Sequence, residues 1–229
     1  ADGYRFGTLA DSGKAYVVFG TKATTPIKIS DLEKGVGGFA IQGDSATHMG
    51  ISVTGAGDFN GDGYADIAVS TPDAAITPTR NAGKVYVIYG GTTTPTTPID
   101  LLTGFTGKGV VINGPGNTAI NLVDVNFGAS VAGGSDLNGD GLSDLVIGAS
   151  YADPGFAYDF ADAGVVYVVY GTTSSATIEA KALNGATSIN QASSTPTTAS
   201  AGGFAINGEW QALDAVDPLG RAPAATVTT

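Results

Sequence analysis

The stretch "GDFNGDGYADIAVS" (residues 57–70) decides how the chain is read. It sets Asp58, Asn60, Asp62 and Asp66 in the pattern D-x-N-G-D-G-x-x-D and runs straight into the apolar Ile67–Val69. Carboxylates this close repel one another, so a positive charge belongs among them. Side-chain oxygens at positions 1, 3, 5 and 9, with a backbone carbonyl at position 7, can wrap one Ca2+. In this loop those ligands are Asp58, Asn60, Asp62, the Tyr64 carbonyl and Asp66. Gly63 fills position 6, where an EF-hand loop also makes its sharp turn. Position 12, the bidentate Glu of an EF-hand, is here Val69, and no helical pattern flanks the loop. The segment is therefore an EF-hand-like tip on a β-hairpin. The competing reading is plain turn chemistry, since Asn-Gly and Asp-Gly both make hairpin turns. One such dipeptide suffices for a two-residue turn, and this loop has two and a further Asp. Mg2+ suits the site less well, because it prefers to keep its waters.

The pattern recurs. "MGISVTGAGDFNGDGYADIAVS" (49–70) aligns with "FGASVAGGSDLNGDGLSDLVIGAS" (127–150), giving a second ligand set of Asp136, Asn138, Asp140, the Leu142 carbonyl and Asp144. Each copy is followed by a strand ending in an aromatic residue and glycine, "GKVYVIYG" (83–90) and "GVVYVVYG" (164–171), and "GKAYVVFG" (13–20) is an earlier version. A fourth segment closes each unit: "GGFAIQG" (37–43), "GKGVVING" (107–114) and "GGFAING" (202–208). Internal repetition of this kind marks an architecture built from stacked units. The expected strands are 50–55, 65–70, 84–89 and 109–113 in the middle unit. In the third they are 128–133, 144–149, 164–170 and 203–207. The chain divides into a partial unit (1–43), two units with acidic loops (44–114 and 115–208), and a segment 209–229. Within that last segment, "PLGRAPAATV" (218–227) reads as a degraded opening strand.

"VYVIY" is apolar on both alternating faces, whereas a strand with one wet face alternates apolar with polar. A sheet covered on both sides, in a sequence with no helical run to cover it, must stack against sheets of its own kind. Radial stacking of four-stranded antiparallel sheets is a β-propeller. A sandwich would leave a polar outer face on each strand. The expected fold is thus all-β, with about three propeller blades present.

Composition agrees. Hydrophobic residues make up 42% of the 229 positions, enough for a core, and the 35 glycines show no collagen period. Net charge is −11, and 18 of the 21 acidic residues are Asp, the residue of turns and hard-cation ligands. No basic stripe exists to neutralise phosphates, which argues against nucleic acid. There is no cysteine, so no disulfide or thiolate site, which fits a secreted bacterial protein. No apolar run approaches the length of a membrane span. Ala1 opens mid-pattern without a signal peptide and reads as the start of a trimmed chain.

The F-G…D-x-N-x-D-G-x-x-D-[L/I]-x-[I/V]-[G/S] pattern resembles the FG-GAP repeat of integrin α-subunit propellers and their bacterial relatives. Residues 127–150 match closely, and 49–70 depart at Met49 and Val69-Ser70. The resemblance implies a seven-bladed propeller, of which this chain supplies about three blades. It also implies Ca2+ in two loops on one face and partners on the other. The first unit departs by lacking its acidic loop.

The loops expected away from the acidic face are 1–12, 43–48, 71–82, 114–126 and 151–163. The last is the richest candidate partner surface, with Tyr151, Phe156, Tyr158 and Phe160 beside Asp153, Asp159 and Asp162. Exposed aromatics among polar groups suit protein hot spots or sugar stacking, while the opposing reading tucks these rings into the core. Arg5 and Arg80 occupy equivalent loops. Trp210 follows a rim strand and reads as packing. A lone histidine, His48, excludes a His-based triad or a histidine-rich zinc site and reads as a turn position. The Thr/Pro tracts 92–98 and 193–200 read as solvated loops open to O-linked sugar. The expected function is a non-enzymatic, extracellular or cell-surface, calcium-binding module for adhesion or for protein or glycan binding. The alternatives are a lectin propeller, a non-catalytic propeller of a secreted hydrolase, and a surface-layer or filament protein. The remaining blades would come from a parent chain or from other copies.

Overall fold

Lys84–Ile88 is rich in β-branched and aromatic residues, which fit a pleated surface buried on both sides, and it forms the spine of the structure. The computed structural model describes residues 12–43, 47–77, 80–115, 125–152, 164–180, 183 and 202–207. Their elements are β1 (Lys14–Val18), α1 (Ile29–Leu32), β2 (Gly38–Gln42), β3 (Val53–Gly57), β4 (Asp66–Thr71) and β5 (Ala75–Thr77). They continue with β6 (Arg80–Asn81), β7 (Lys84–Ile88), β8 (Ile99–Asp100), β9 (Gly109–Asn113), β10 (Phe127–Ser135) and β11 (Asp144–Ala149). The last are β12 (Val165–Val169), β13 (Ile178–Glu179) and β14 (Gly203–Asn207).

The middle unit is an antiparallel meander in the order β3-β4-β7-β9, and the third repeats it as β10-β11-β12-β14. Among the described residues the fold is nearly all sheet, and the middle and third units are blade-like four-stranded sheets of the kind the sequence predicts. The first unit contributes β1 and β2. The apolar faces find their partners on both sides. Ala68, Val85, Val87, Val110 and Ile112 of the middle sheet share one core with Leu145, Ile147, Val165, Tyr167 and Val169 of the third. Val69 and Ile88, on the opposite face, join Phe39 and Ile41 of the first sheet, with Ile67 and Tyr86 packed alongside. Phe127 stands edge-on to Tyr167 at 5.5 Å between ring centres, the favoured arrangement for aromatic pairs. A cleft of about 490 Å³ lined by Ala15, Val17, Val53, Ile67 and Val69 separates the first sheet from the inner strands of the middle one.

Three features go beyond the sequence reading. A four-residue helix, α1, lies between β1 and β2, and the salt bridge from Lys14 Nζ to Glu33 Oε1 (2.7 Å) ties its end to β1. A small hairpin, β5–β6, occupies the 71–82 loop. Each outer strand also receives a short parallel partner from the following unit, β8 on β2 and β13 on β9. Parallel pairing of two residues leaves no periodicity to find.

The glycine that opens each outer strand has a steric reason. A Cβ on Gly38, Gly109 or Gly203 would strike the carbonyl of Val17, Val87 or Val168 respectively. Gly109→Ala should therefore lower stability by about 1–3 kcal/mol, while Gly91→Ala, with open space around it, should not; paired urea melts measure both. Asp100 gives a pH test. Burial would raise its pKa, but N–H bonds from Thr103 and Leu102 (3.2 and 2.8 Å to Oδ1) and contact with Gln42 outweigh this and lower it. A folded pKa below the unfolded value of about 4 gives stability that is present above that pH and lost on acidification. The melting difference between wild type and Asp100→Asn should shrink as pH drops from 7 to 3.

Candidate functional site

Both acidic loops cap hairpins at the same end of the strands, β3–β4 and β10–β11, and both begin after a bulge that shifts register just before the loop. Each folds around its first carboxylate. In the first loop the N–H groups of Asp62 and Gly63 donate to Asp58 Oδ1 and Oδ2 at 2.9 and 3.0 Å. In the second, Asp140 and Gly141 donate to Asp136 Oδ1 and Oδ2 at 3.2 and 2.9 Å, and Gly139 adds a bond of 2.7 Å. The third-position amides match as well. Asn60 Oδ1 accepts from Asp62 N–H and its Nδ2 donates to Asp62 Oδ2, as Asn138 does with Asp140. Tyr64 and Leu142, at position 7, donate their N–H to Asp62 Oδ1 and Asp140 Oδ1. Such Asx bonding lets a short polar side chain build a turn locally. Gly63 and Gly141 have φ of 87° and 90° with nothing near a would-be Cβ, so backbone conformation alone calls for glycine there.

The ninth position behaves differently from the rest. Asp66 and Asp144 are each 1% exposed, and their carboxylates clasp the loop to the end of the third strand. Asp66 Oδ2 accepts from Phe59 and Asn60, and its Oδ1 accepts from Gly90 at 2.8 Å. Asp144 repeats this with Leu137 (2.6 Å) and Gly171 (2.9 Å). The "YG" endings at Tyr89-Gly90 and Tyr170-Gly171 thus supply the amide. A Cβ at Gly90 would meet the Ala65 carbonyl, and one at Gly171 would meet that of Ser143. In the sequence these glycines mark strand ends; their amides' part in the clasp emerges only in the fold.

The structure brings the two loops together. Ser143 N–H donates to the Asp58 carbonyl and Thr172 N–H to the Phe59 carbonyl, both at 2.9 Å. Phe59, fully buried, drives the first loop into the core shared by the middle and third sheets. The paired loops form a concentrated negative patch. Burial raises the pKa of the Asp66 carboxyl most, the Gly90, Phe59 and Asn60 amides pull it back, and Asp62 pushes it up further. Asp136, fully exposed, is held below the ordinary range mainly by the Gly141 amide. Burial raises the phenol of Tyr89, and the charges of Asp66 and Asp62 add to the shift. Tyr170 responds in the same order to burial, Asp144 and Asp140. The Tyr89 hydroxyl is buried with no hydrogen-bond partner among the described residues. Among those residues the ion pairs are Lys14–Glu33 and His48–Asp73, and neither touches a loop carboxylate. The donor set is all oxygen, the chemistry of a hard cation. Among the described residues no three acidic or histidine side chains converge as a ready-made cage, because the carboxylates are turned onto their own loop amides.

At the other end of the strands, His48 adopts φ 45° and its Nδ1 lies 2.5 Å from Asp73 Oδ2, joining the 43–48 and 71–82 loops. In the sequence His48 reads as a turn residue, and its partner Asp73, 25 residues on, carries no local signal. Of the expected aromatic surface, Tyr151 is described and is 49% exposed. Phe156, Tyr158 and Phe160 lie outside the described residues, as do Arg5, Trp210 and the segment 209–229.

The family described as "FG-GAP repeat" matches residues 49–88 and 127–169, which take in both acidic loops and the strands around them. Phosphatidylinositol-glycan-specific phospholipase D of Bos taurus is 29% identical over 157 residues, 68% of this chain and 17% of that protein. Integrin alpha-M of Mus musculus is 32% identical over 108 residues, covering 47% of this chain and 8% of its own length. Integrin alpha pat-2 of Caenorhabditis elegans is 34% identical over 115 residues, 48% of this chain and 8% of the relative. The chain thus spans less than a fifth of the length of these relatives. Its two acidic-loop units are FG-GAP repeats.

Proposed function

We propose that this chain is part of an extracellular or cell-surface propeller module, non-catalytic in itself, that Ca2+ stiffens at two loops and that binds a protein or glycan on the opposite face. The observation that carries the reading is the pair of matched carboxylate loops with no cationic side chain against them among the described residues. Asp58, Asn60, Asp62, Asp66 and the Tyr64 carbonyl would hold one ion, and Asp136, Asn138, Asp140, Asp144 and the Leu142 carbonyl the other. A bound ion would supply the positive charge that these carboxylates and the nearby phenols lack. Asp58 and Asp136 already hold their loops in the required turn, so binding asks for side-chain rotation more than for refolding. Asp66 and Asp144 would keep each loop anchored to its strand through Gly90 and Gly171.

The relatives support an adhesion or ligand-binding role through the integrin alpha chains. The phospholipase match favours the second reading, a propeller carried by a secreted hydrolase. Among the described residues, His48 is paired with Asp73. No described helix is long and apolar enough to cross a membrane.

Calcium dependence of stability tests the proposal. For a Kd of about 10⁻⁴ to 10⁻³ M, 10 mM Ca2+ should add about 1.4–2.7 kcal/mol per site. A chelator should remove that gain. Asp140→Ala weakens the loop even without metal because it breaks two loop hydrogen bonds, so the diagnostic quantity is the Ca2+-induced rise in Tm. That rise should fall by roughly half in Asp140→Ala and vanish when Asp62→Ala is added. Melting curves that ignore Ca2+ in the wild-type chain would overturn the assignment.

A further inference from the structure

The two acidic loops share the tetrapeptide Asn-Gly-Asp-Gly, at 60–63 and 138–141, yet the fold holds one of its amides in two different ways. In the second loop the Gly139 N–H donates to Asp136 Oδ1 at 2.7 Å. Its counterpart in the first loop, the Gly61 N–H, has no acceptor among the described residues, and Gly61 is exposed. A further described Asn-Gly pair, Asn113-Gly114, is closed as well. Gly114 N–H donates to the Gly83 carbonyl at 2.9 Å, and Asn113 Nδ2 donates to Glu179 Oε1 at 2.8 Å.

The amide nitrogen that follows an asparagine lies beside that asparagine's side-chain Cγ, and a glycine there has no Cβ to hinder the approach. Asn60 Oδ1 accepts from the Asp62 N–H at 3.0 Å, a donor placed where negative charge grows when Cγ is attacked. Asn138 has the equivalent donor, the Asp140 N–H at 2.9 Å. The loops therefore match in electrophile and differ in nucleophile. Attack at Asn138 must first break a bond to a carboxylate, the stronger class of hydrogen bond. Attack at Asn60 has no such bond to break.

We propose that Asn60-Gly61 is a self-modifying site, where the folded first loop converts asparagine to aspartate and isoaspartate while Asn138-Gly139 is protected. The Gly61 nitrogen bonds to Asn60 Cγ and gives up its proton to solvent. The Cγ–Nδ2 bond breaks, and the departing nitrogen takes up a proton and leaves as ammonia. Water then opens the five-membered imide at either carbonyl, so one water is consumed and one ammonia released, with no oxidation or reduction. Both products alter the loop. Aspartate at this position removes the Nδ2 donor from Asp62 Oδ2 and sets a further carboxylate beside Asp62. Isoaspartate lengthens the main chain by one carbon and dismantles the turn closed between Asn60 Oδ1 and the Asp62 N–H. The reaction needs no metal ion, so it is independent of the Ca2+ reading.

Peptide mapping by mass spectrometry on the 229-residue chain tests this, after incubation at mildly alkaline pH with a chelator present. Conversion is read as a gain of one mass unit and by isoaspartyl methyltransferase labelling. At Asn60 it should outrun that at Asn138 by about tenfold, the worth of one hydrogen bond to a charged group. In urea strong enough to unfold the chain the two rates should converge, because the tetrapeptides are identical. Asn60→Ser, whose hydroxyl can still accept from the Asp62 N–H, should abolish labelling of the first loop and leave the second unchanged. Equal conversion in the folded chain, faster conversion at Asn138, or an Asn60 that stays intact while the unfolded chain reacts would each overturn the proposal. A lead for Asn60 that persists in urea would overturn it too, since the cause would then be the neighbouring Phe59 and Leu137 rather than the fold.

Discussion

Val85 and Val87 on one face of β7, with Tyr86 and Ile88 on the other, impose the constraint from which the remaining architecture follows: the middle sheet has no side that can face water. Both faces are buried by other sheets of the same construction, Leu145, Ile147 and Tyr167 on one side and Phe39 and Ile41 on the other. Fully burying side chains of this size is worth about 1.5–3 kcal/mol each, so the stack is favoured wherever another sheet can be supplied.

The acidic loops oppose that packing locally. Asp66 and Asp144 are nearly dry, yet both carboxylates keep full sets of amide donors, since burying a carboxylate without partners would be far costlier. Each is thereby a structural rivet between a hairpin tip and the end of the third strand. The outer carboxylates have only their own loop amides, and at the phenols of Tyr89 and Tyr170, raised first by burial, the charges of Asp62 and Asp140 add to those of Asp66 and Asp144. Loop geometry and excess charge are thus set by one short motif, with the buried Asp as anchor and the exposed residues as the surplus.

Successive units are joined by more than face-to-face packing. The parallel strands β8 and β13 reach back to the preceding outer strand, and the loop carbonyls of Asp58 and Phe59 accept bonds from the following unit. Inner edge, face and rim are therefore all linked. Relative sliding of the sheets would break hydrogen bonds as well as apolar contacts, which fixes the stacking register more firmly than side-chain packing alone.

Local periodicity and repetition were enough to read the strands, because side-chain alternation is printed in each segment and the copies check one another. β9, β11 and β14 fall at the expected residues and β4, β7 and β12 within a residue of them, whereas β3 starts at Val53, three residues later than expected, and β10 runs on to Ser135, two residues past its expected end. The spacing of Asp58, Asn60, Asp62 and Asp66 likewise announced a shared loop. It could not reveal that Asp66 turns inward to Gly90, 24 residues away, because the direction of a carboxylate is settled by which amides surround it once the sheet has formed. His48 and Asp73, Lys14 and Glu33, and the two-residue parallel strands were hidden for the same reason: each joins segments with no pattern in common. Alternation along a strand and the concentration of charge in a loop can be read from the chain alone, since these are properties of neighbours along it. Which faces meet is settled only when the sheets stack, since burial depends on what distant parts of the chain bring alongside.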